Sequence, residues 1–77
     1  MKKYQAIAEA GSDVHIQNVP EFDSIEQGIE FFTIRAWRLV SETEQIARME
    51  LWINHGETDD PMQKLLNNMP DAIVFIR

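Results

Sequence analysis

The chain has 77 residues, thirteen acidic side chains against seven basic ones, a net charge of −6 and no cysteine. A chain of this length suits a single domain over residues 1–77, and the missing cysteines exclude disulfides and thiolate metal sites, so a reducing cytoplasm is the expected compartment. The acidity repels nucleic-acid phosphates and anionic membrane surfaces, so we expect no direct nucleic-acid binding and no membrane association.

The N-terminal residues predict a β-hairpin. Residues 3–9 and 14–19 alternate around Gly11-Ser12, and a Gly-X pair between alternating segments is typical of a two-residue turn. Pairing Ala10 with Asp13 places Ile7 on the core face. The register assigns the other hairpin residues to two faces: Ile16 and Val14 to the core, and Tyr4, Ala6, Ala8, His15 and Gln17 to the solvent.

The next segment predicts the main helix, over residues 25–40, with Asp23-Ser24 as its cap. Gly28 costs a helix up to about 1 kcal/mol relative to alanine, which indicates close packing against a sheet at that point. Apolar residues occupy two sides of this helix. The inner stripe is Ile25, Gly28, Ile29, Phe32, Ala36, Leu39 and Val40, and the outer stripe is Phe31, Ile34 and Trp37.

A competing interpretation makes residues 32–40 a strand. It pairs that strand with residues 44–53 through Ser41-Glu42-Thr43 and gives a ferredoxin-like order if only one N-terminal strand counts. We prefer the helix, because strand alternation would place Arg38 among apolar residues. In that case Ser41-x-x-Glu44 is a capping box that begins a short helical turn.

The C-terminal half predicts a strand, a short helix and a last strand. Residues 46–54 alternate as a half-buried strand, with Ala47 and Met49 on the core face and Trp52 on the polar face. Asp60-Pro61 begins the second helix, whose apolar stripe is Met62, Leu65, Leu66 and Met69. Residues 72–76 are apolar throughout, as in an inner strand. The predicted class is therefore α+β: a small antiparallel sheet, one main helix on one face and a short second helix.

No catalytic, cofactor or metal site is expected. Ser12, Ser24 and Ser41 all have structural roles in turns or caps, and His15 and His55 are not spaced to activate a nucleophile. The acidic loop at residues 57–60 lacks the ligand pattern of a calcium loop, and the three glycines lie too far apart for a phosphate loop. A ligand site or enzyme on the His15, Tyr4 and Trp52 side of the sheet is a minor alternative.

The aromatic and arginine side chains favour a protein interface, since tryptophan, tyrosine and arginine often dominate binding energy. The candidate interface residues are Phe31, Ile34, Arg35, Trp37, Arg38, Trp52 and Tyr4. In the alternative, the second helix folds over the outer stripe and makes it ordinary core. The sequence leaves both possibilities open.

The helix start Phe22-Asp23-Ser24-x-Glu26-Gln27, after a hairpin and before an aromatic helix, resembles a stretch of small phage anti-CRISPR proteins. The resemblance covers about a quarter of the chain and implies a non-enzymatic inhibitor in the host cytoplasm that binds a host defence protein, such as a CRISPR effector. It transfers no binding residue. Acidity suits occupation of a basic groove, although it also serves simply to keep a small protein in solution. The alternative is a homo-oligomeric structural or regulatory protein, dimeric through the outer stripe.

Overall fold

The computed structural model describes residues 2–9 and 11–77. It confirms the α+β class: a four-stranded sheet, antiparallel throughout, combines with two α-helices in the order β-α-β-β-α-β. The elements are β1 (Ala6–Ala8), α1 (Ile25–Ile34), β2 (Arg38–Glu42), β3 (Ala47–Leu51), α2 (Pro61–Asn67) and β4 (Ala72–Ile76). The strand order β1-β4-β3-β2 puts β1 and β2 on opposite edges.

Strands β3 and β4 form the centre of the sheet, as their apolar patterns predict. Ala47 pairs with Ile76 and Met49 with Val74, and all four side chains are buried on one face, which we call the core face. Period-two alternation sends the intervening residues of both strands to the opposite face. The inner position expected for residues 72–76 is confirmed, since β4 lies between β1 and β3.

Helix α1 begins where the sequence indicates and packs on the core face. The Ser24 hydroxyl accepts a hydrogen bond from the Gln27 backbone N–H at 3.1 Å, which satisfies one of the free donors of the first turn. Ile25, Gly28 and Phe32 are buried against the sheet. Gly28 approaches Ile76 so closely that an added Cβ would lie 2.8 Å from its Cγ2, which confirms the close packing expected at this glycine.

The prediction of a helix over residues 25–40 is wrong beyond Ile34. Ala36 adopts φ 68°, a left-handed conformation that ends the helix, and Trp37 then turns back into the core, where its ring lies 5.1 Å from that of Phe32. The competing strand over residues 32–40 is correct for residues 38–40, and β2 continues through Ser41 and Glu42, which that interpretation placed in the turn. Burial of Trp37 requires this reversal of the chain, which helical periodicity does not reveal. Ala36, Leu39 and Val40 of the supposed inner stripe are consequently exposed.

The residues between β2 and β3 form a hairpin turn, and the predicted helical turn at Ser41-x-x-Glu44 is wrong. Thr43 closes this turn: its hydroxyl accepts hydrogen bonds from the backbone N–H groups of Gln45 and Ile46. A Thr side chain that bonds to nearby backbone groups favours a turn over a helix.

The predicted N-terminal hairpin is also wrong. Residues 14–19 form no strand; Asp13–His15 is a single 3-10 turn, and β1 pairs with β4 instead. The Ser12 hydroxyl accepts a hydrogen bond from Ile73 N–H at 2.9 Å, so the Gly-Ser segment is held against β4. The uniformly apolar β4 offers β1 a better partner than residues 14–19, in which polar side chains alternate with apolar ones. The pairing expected for Ala10 lies outside the described residues.

The faces assigned to the first half of the hairpin are reversed as a result: Ile7 is exposed, whereas Tyr4 and Ala6 pack against the core. In the second half, Val14 is exposed against the prediction, but Ile16 packs against the core and His15 and Gln17 are exposed, as predicted. None of the helices in the described ranges is long and apolar enough to cross a bilayer.

Candidate binding surfaces

The seven predicted interface residues lie in three separate places. They are distributed as follows: Phe31, Ile34 and Arg35 on the outer side of α1; Arg38 and Trp52 on the sheet face opposite α1; Trp37 and Tyr4 against or within the core. Trp37 is only 6% exposed, so its assignment to an interface is wrong. Tyr4 is half-buried and forms a β-bridge with Phe22, which places it at the core edge.

The first surface is a shallow groove on the outer side of α1, with a volume of about 350 Å³. Its lining residues are Pro20, Glu21, Phe22, Gln27, Glu30, Phe31, Ile34 and Arg35. Ile34 is 73% exposed at one end, and Phe31 is half-buried with its ring 5.4 Å from that of Phe22. The groove therefore has an aromatic floor and an exposed aliphatic edge.

Arg35 is held in place over this floor. Its guanidinium carbon lies 3.5 Å from the centroid of the Phe31 ring, and its Nη1 donates a hydrogen bond to the Phe31 carbonyl at 2.9 Å. A cation stacked on an aromatic face is attracted by the ring quadrupole, and the hydrogen bond fixes the orientation. The arginine is thus preorganised before any partner arrives, which lowers the entropy cost of binding.

The second surface is the sheet face opposite α1, which we call the open face. Glu50 lies at its centre and is only 8% exposed. One carboxylate oxygen accepts hydrogen bonds from Arg48 Nε and Nη2, at 3.3 and 3.1 Å, and the other accepts from Trp52 Nε1 at 3.0 Å. Both oxygens therefore accept hydrogen bonds, and a carboxylate held in this way orders the face.

Arginine side chains stack on the aromatic residues around Glu50. The Arg38 guanidinium lies 5.7 Å from the Trp52 ring and the Arg48 guanidinium 5.8 Å from the Phe75 ring. Two of the predicted interface residues, Arg38 and Trp52, therefore lie together on this face. Arg48 and Glu50 were not among the predicted residues, although the alternation of the strand places them on the same face as Trp52.

The third surface lies on residues 52–71, the connection between β3 and β4, which we call the arm. Helix α2 in this arm buries none of its residues. The apolar side chains of the helix and of Met69, just after it, are 51–63% exposed: Met62, Leu65, Leu66 and Met69. Its polar residues Gln63 and Asn67 are the less exposed ones, and their side chains hydrogen-bond each other at 2.8 Å. This reverses the usual arrangement of an amphipathic helix at a protein surface.

The base of the arm is closed by Asp71. Its backbone N–H donates to the Leu51 carbonyl at 2.8 Å, and its carboxylate accepts hydrogen bonds from Ile53 N–H at 2.6 Å and from His55 Nε2. Burial alone raises the pKa of Asp71, but these two hydrogen bonds and the charge of His55 outweigh it, so the pKa lies below its ordinary value of 3.8. The carboxylate is therefore ionised at neutral pH and holds the two ends of the arm together.

The sequence left open whether the second helix covers the outer stripe of α1. Helix α2 does not cover the outer side of α1, because none of the residues of α2 is buried and Ile34 stays exposed.

Within residues 2–9 and 11–77, no group of three or more His, Asp or Glu side chains is placed to hold a metal ion. No protein-family model matches the chain, and comparison with curated proteins and with solved structures gives no match.

Proposed function

We propose that the chain is a non-enzymatic protein-binding module that contacts its partner through the groove on the outer side of α1. The observation that carries this proposal is the exposed Ile34 beside the preorganised Phe31-Arg35 stack. A buried aromatic floor, an exposed aliphatic edge and a fixed arginine form the type of patch in which a few residues supply most of the binding energy. The partner accordingly presents an apolar side chain to the groove and a hydrogen-bond acceptor to Arg35.

In its more specific form, the proposal is that a phage or mobile element uses the chain to inhibit a host defence protein, such as a CRISPR effector, in the host cytoplasm. Two observations support it. The net charge of −6, with Glu21 and Glu30 lining the groove, suits a basic partner surface of the kind that binds nucleic acid. The helix start at residues 22–27 resembles that of small anti-CRISPR proteins.

Affinity purification from a CRISPR-bearing bacterial lysate tests this proposal. We expect the wild-type chain to retain an effector subunit and Ile34→Asp to lose it, since an exposed aliphatic anchor becomes a charge. Val14→Asp is the matched control, because Val14 is also an exposed β-branched residue, 63% exposed, and does not line the groove. Recovery of no effector subunit by the wild-type chain, together with undiminished phage restriction on expression, would refute the specific form.

The alternative is a homo-oligomer that associates through the outer side of α1, and Ile34→Asp also distinguishes it from the proposal. In light scattering, the alternative requires Ile34→Asp to dissociate the oligomer, whereas the proposal requires the oligomeric state to be unchanged. Trp37→Asp is unsuitable for this test, because Trp37 lies in the core and its replacement by a charge would unfold the chain.

A further inference from the structure

Helix α2 exposes the side that a surface helix normally buries. The apolar stripe of Met62, Leu65, Leu66 and Met69, the last just beyond the helix, is exposed, while Gln63 and Asn67 are half-buried. Burial of an exposed Leu or Met side chain of this kind removes about 100 Å² of apolar surface from water, which is favourable. The exposed stripe would therefore be stabilised by contact with another apolar surface, which the arm itself does not supply.

The arm points away from the sheet that would otherwise receive it. Asp71 fixes both ends of the arm where β3 ends and β4 begins, through its hydrogen bonds to Ile53 and His55. The molecule is correspondingly elongated, measuring 51 × 22 × 21 Å. Helix α2 consequently lies beyond the end of the sheet, with its stripe free to meet a second molecule.

The open face has the complementary properties. Ile7, which is exposed, and the half-buried Ile73 and Phe75 give it an apolar half that α1 does not cover, since α1 packs on the core face. The strand positions of this face carry Arg38, Arg48 and Arg77 against Glu9 and Glu50, so its net charge is positive by one unit. The arm carries four acidic side chains and one lysine, so its net charge of −3 is half of the chain's charge of −6. The acidic residues are Glu57, Asp59, Asp60 and Asp71.

From these observations we propose that two copies of the chain exchange their arms, so that α2 of each copy covers the open face of the other. Both uncovered apolar surfaces are then buried, and an acidic arm meets a basic face. A twofold axis makes each contact twice. Two stripes of four side chains, each covering an equal area of the facing sheet, bury about 1,600 Å², which is the size of a standard stable interface.

This dimer does not depend on the proposed function and is compatible with it. Helix α1 packs on the core face, so an arm on the open face leaves both α1 grooves exposed on the outside of the dimer. The two proposals use different residues. Leu65 belongs to the arm and Ile34 to the groove, and each variant therefore tests one proposal while serving as the control for the other.

Light scattering over a range of concentrations up to tens of micromolar tests the exchange. We expect a mass of two chains for the wild type and for Ile34→Asp. Leu65→Asp should raise the dimer dissociation constant about 30-fold or more, as for a residue that dominates an interface. A monomeric wild type, or a dimer that Leu65→Asp does not weaken, overturns the proposal. Far-ultraviolet circular dichroism checks that Leu65→Asp, a change at an exposed position, remains folded.

A charge reversal provides the second, independent variant. Arg38→Glu places a negative charge on the open face and should raise the dissociation constant about tenfold through repulsion of the acidic arm. Arg35→Glu is the matched control, because it makes the same change in charge on the outer side of α1. Equal effects of the two reversals would show that net charge alone governs association and would overturn the arm-to-face arrangement.

Crosslinking distinguishes exchange from an arm that folds back on its own sheet. The chain has no cysteine, so single substitutions carry the only thiols. A mixture of a Leu66→Cys chain and an Ile7→Cys chain, treated with a short bis-maleimide, should give a crosslinked heterodimer. A monomeric Leu66→Cys/Ile7→Cys chain that crosslinks internally would overturn the proposal.

Discussion

Gly28 is a point of close approach between α1 and the sheet, and alanine at this position tests the packing of the two layers. A Cβ added there would lie 2.8 Å from Ile76 Cγ2, 2.9 Å from Ile76 Cδ1 and 3.1 Å from Phe22 Cδ2. Ordinary carbon contacts are about 3.5 to 4.0 Å, so the methyl group has no room. Ile76 is fully buried and cannot simply swing into solvent.

Two opposing effects decide the sign of the change in stability. Alanine favours a helix interior by about 0.5–1 kcal/mol relative to glycine. Overpacking of a well-filled core costs about 1–3 kcal/mol. We therefore expect Gly28→Ala to lower the free energy of unfolding by about 1 kcal/mol, which corresponds to a fall of about 4–8 °C in Tm for a domain of this size.

Urea denaturation followed by circular dichroism measures this change. Thr33→Ala is the control, because it is an exposed position of the same helix where alanine should stabilise by a few tenths of a kcal/mol. Ile76→Val removes the Cδ1 methyl, so Gly28→Ala should cost less in that background than in the wild type. A Gly28→Ala chain as stable as the wild type, or more stable, would refute the close packing of α1 on β4.

Three further predictions concern single residues. Asp71→Asn should lower stability by about 1 kcal/mol at pH 7. Because the folded pKa of Asp71 is below 3.8, the carboxylate stabilises the fold above that pH, and this contribution is lost as the pH falls through the folded pKa. A variant whose stability falls with pH in the same way as that of the wild type would contradict the role of the ionised Asp71. Ala36→Gly should stabilise the chain by about 0.5–1 kcal/mol in thermal unfolding, since glycine adopts φ 68° without strain, and a loss of stability would contradict the left-handed turn. Glu50→Gln should reduce stability by about 1–2 kcal/mol in urea denaturation, because the Arg48 guanidinium loses its charged partner; no effect would mean that the network contributes nothing.

The parts of the fold that local residues determine were predictable. Ser24 caps α1 by a hydrogen bond three residues away, and Asp60 caps α2 in the same manner, so both helix starts follow from a few neighbouring side chains. The alternation of apolar and polar residues in β3 shows which of its faces is buried, and this inference does not depend on which strands pair with it. Short-range chemistry and periodicity were sufficient at these positions.

The remaining features depend on contacts between distant residues. Strand β1 pairs with β4, so that Ala6 lies opposite Ile76, seventy positions away along the chain, and the local Gly-Ser turn signal gave no indication of that choice. The end of α1 is determined by the burial of Trp37 against Phe32, which competes with a helical pattern that continues to Val40. The candidate groove was predicted in part, since Phe31, Ile34 and Arg35 stayed together, whereas Trp37 entered the core. The second helix was predicted, but the exposure of its apolar stripe was not.

The central claim is that the chain acts by binding a protein through the outer side of α1, and the plating efficiency of a phage on CRISPR-restricting cells tests it most directly. Expression of the wild-type chain or of Val14→Asp should restore plating, and Ile34→Asp at an equal cellular level should not. Restriction that is unaffected by the wild-type chain contradicts the proposed inhibition of a CRISPR effector. Restoration by Ile34→Asp equal to that by the wild type contradicts the proposed surface.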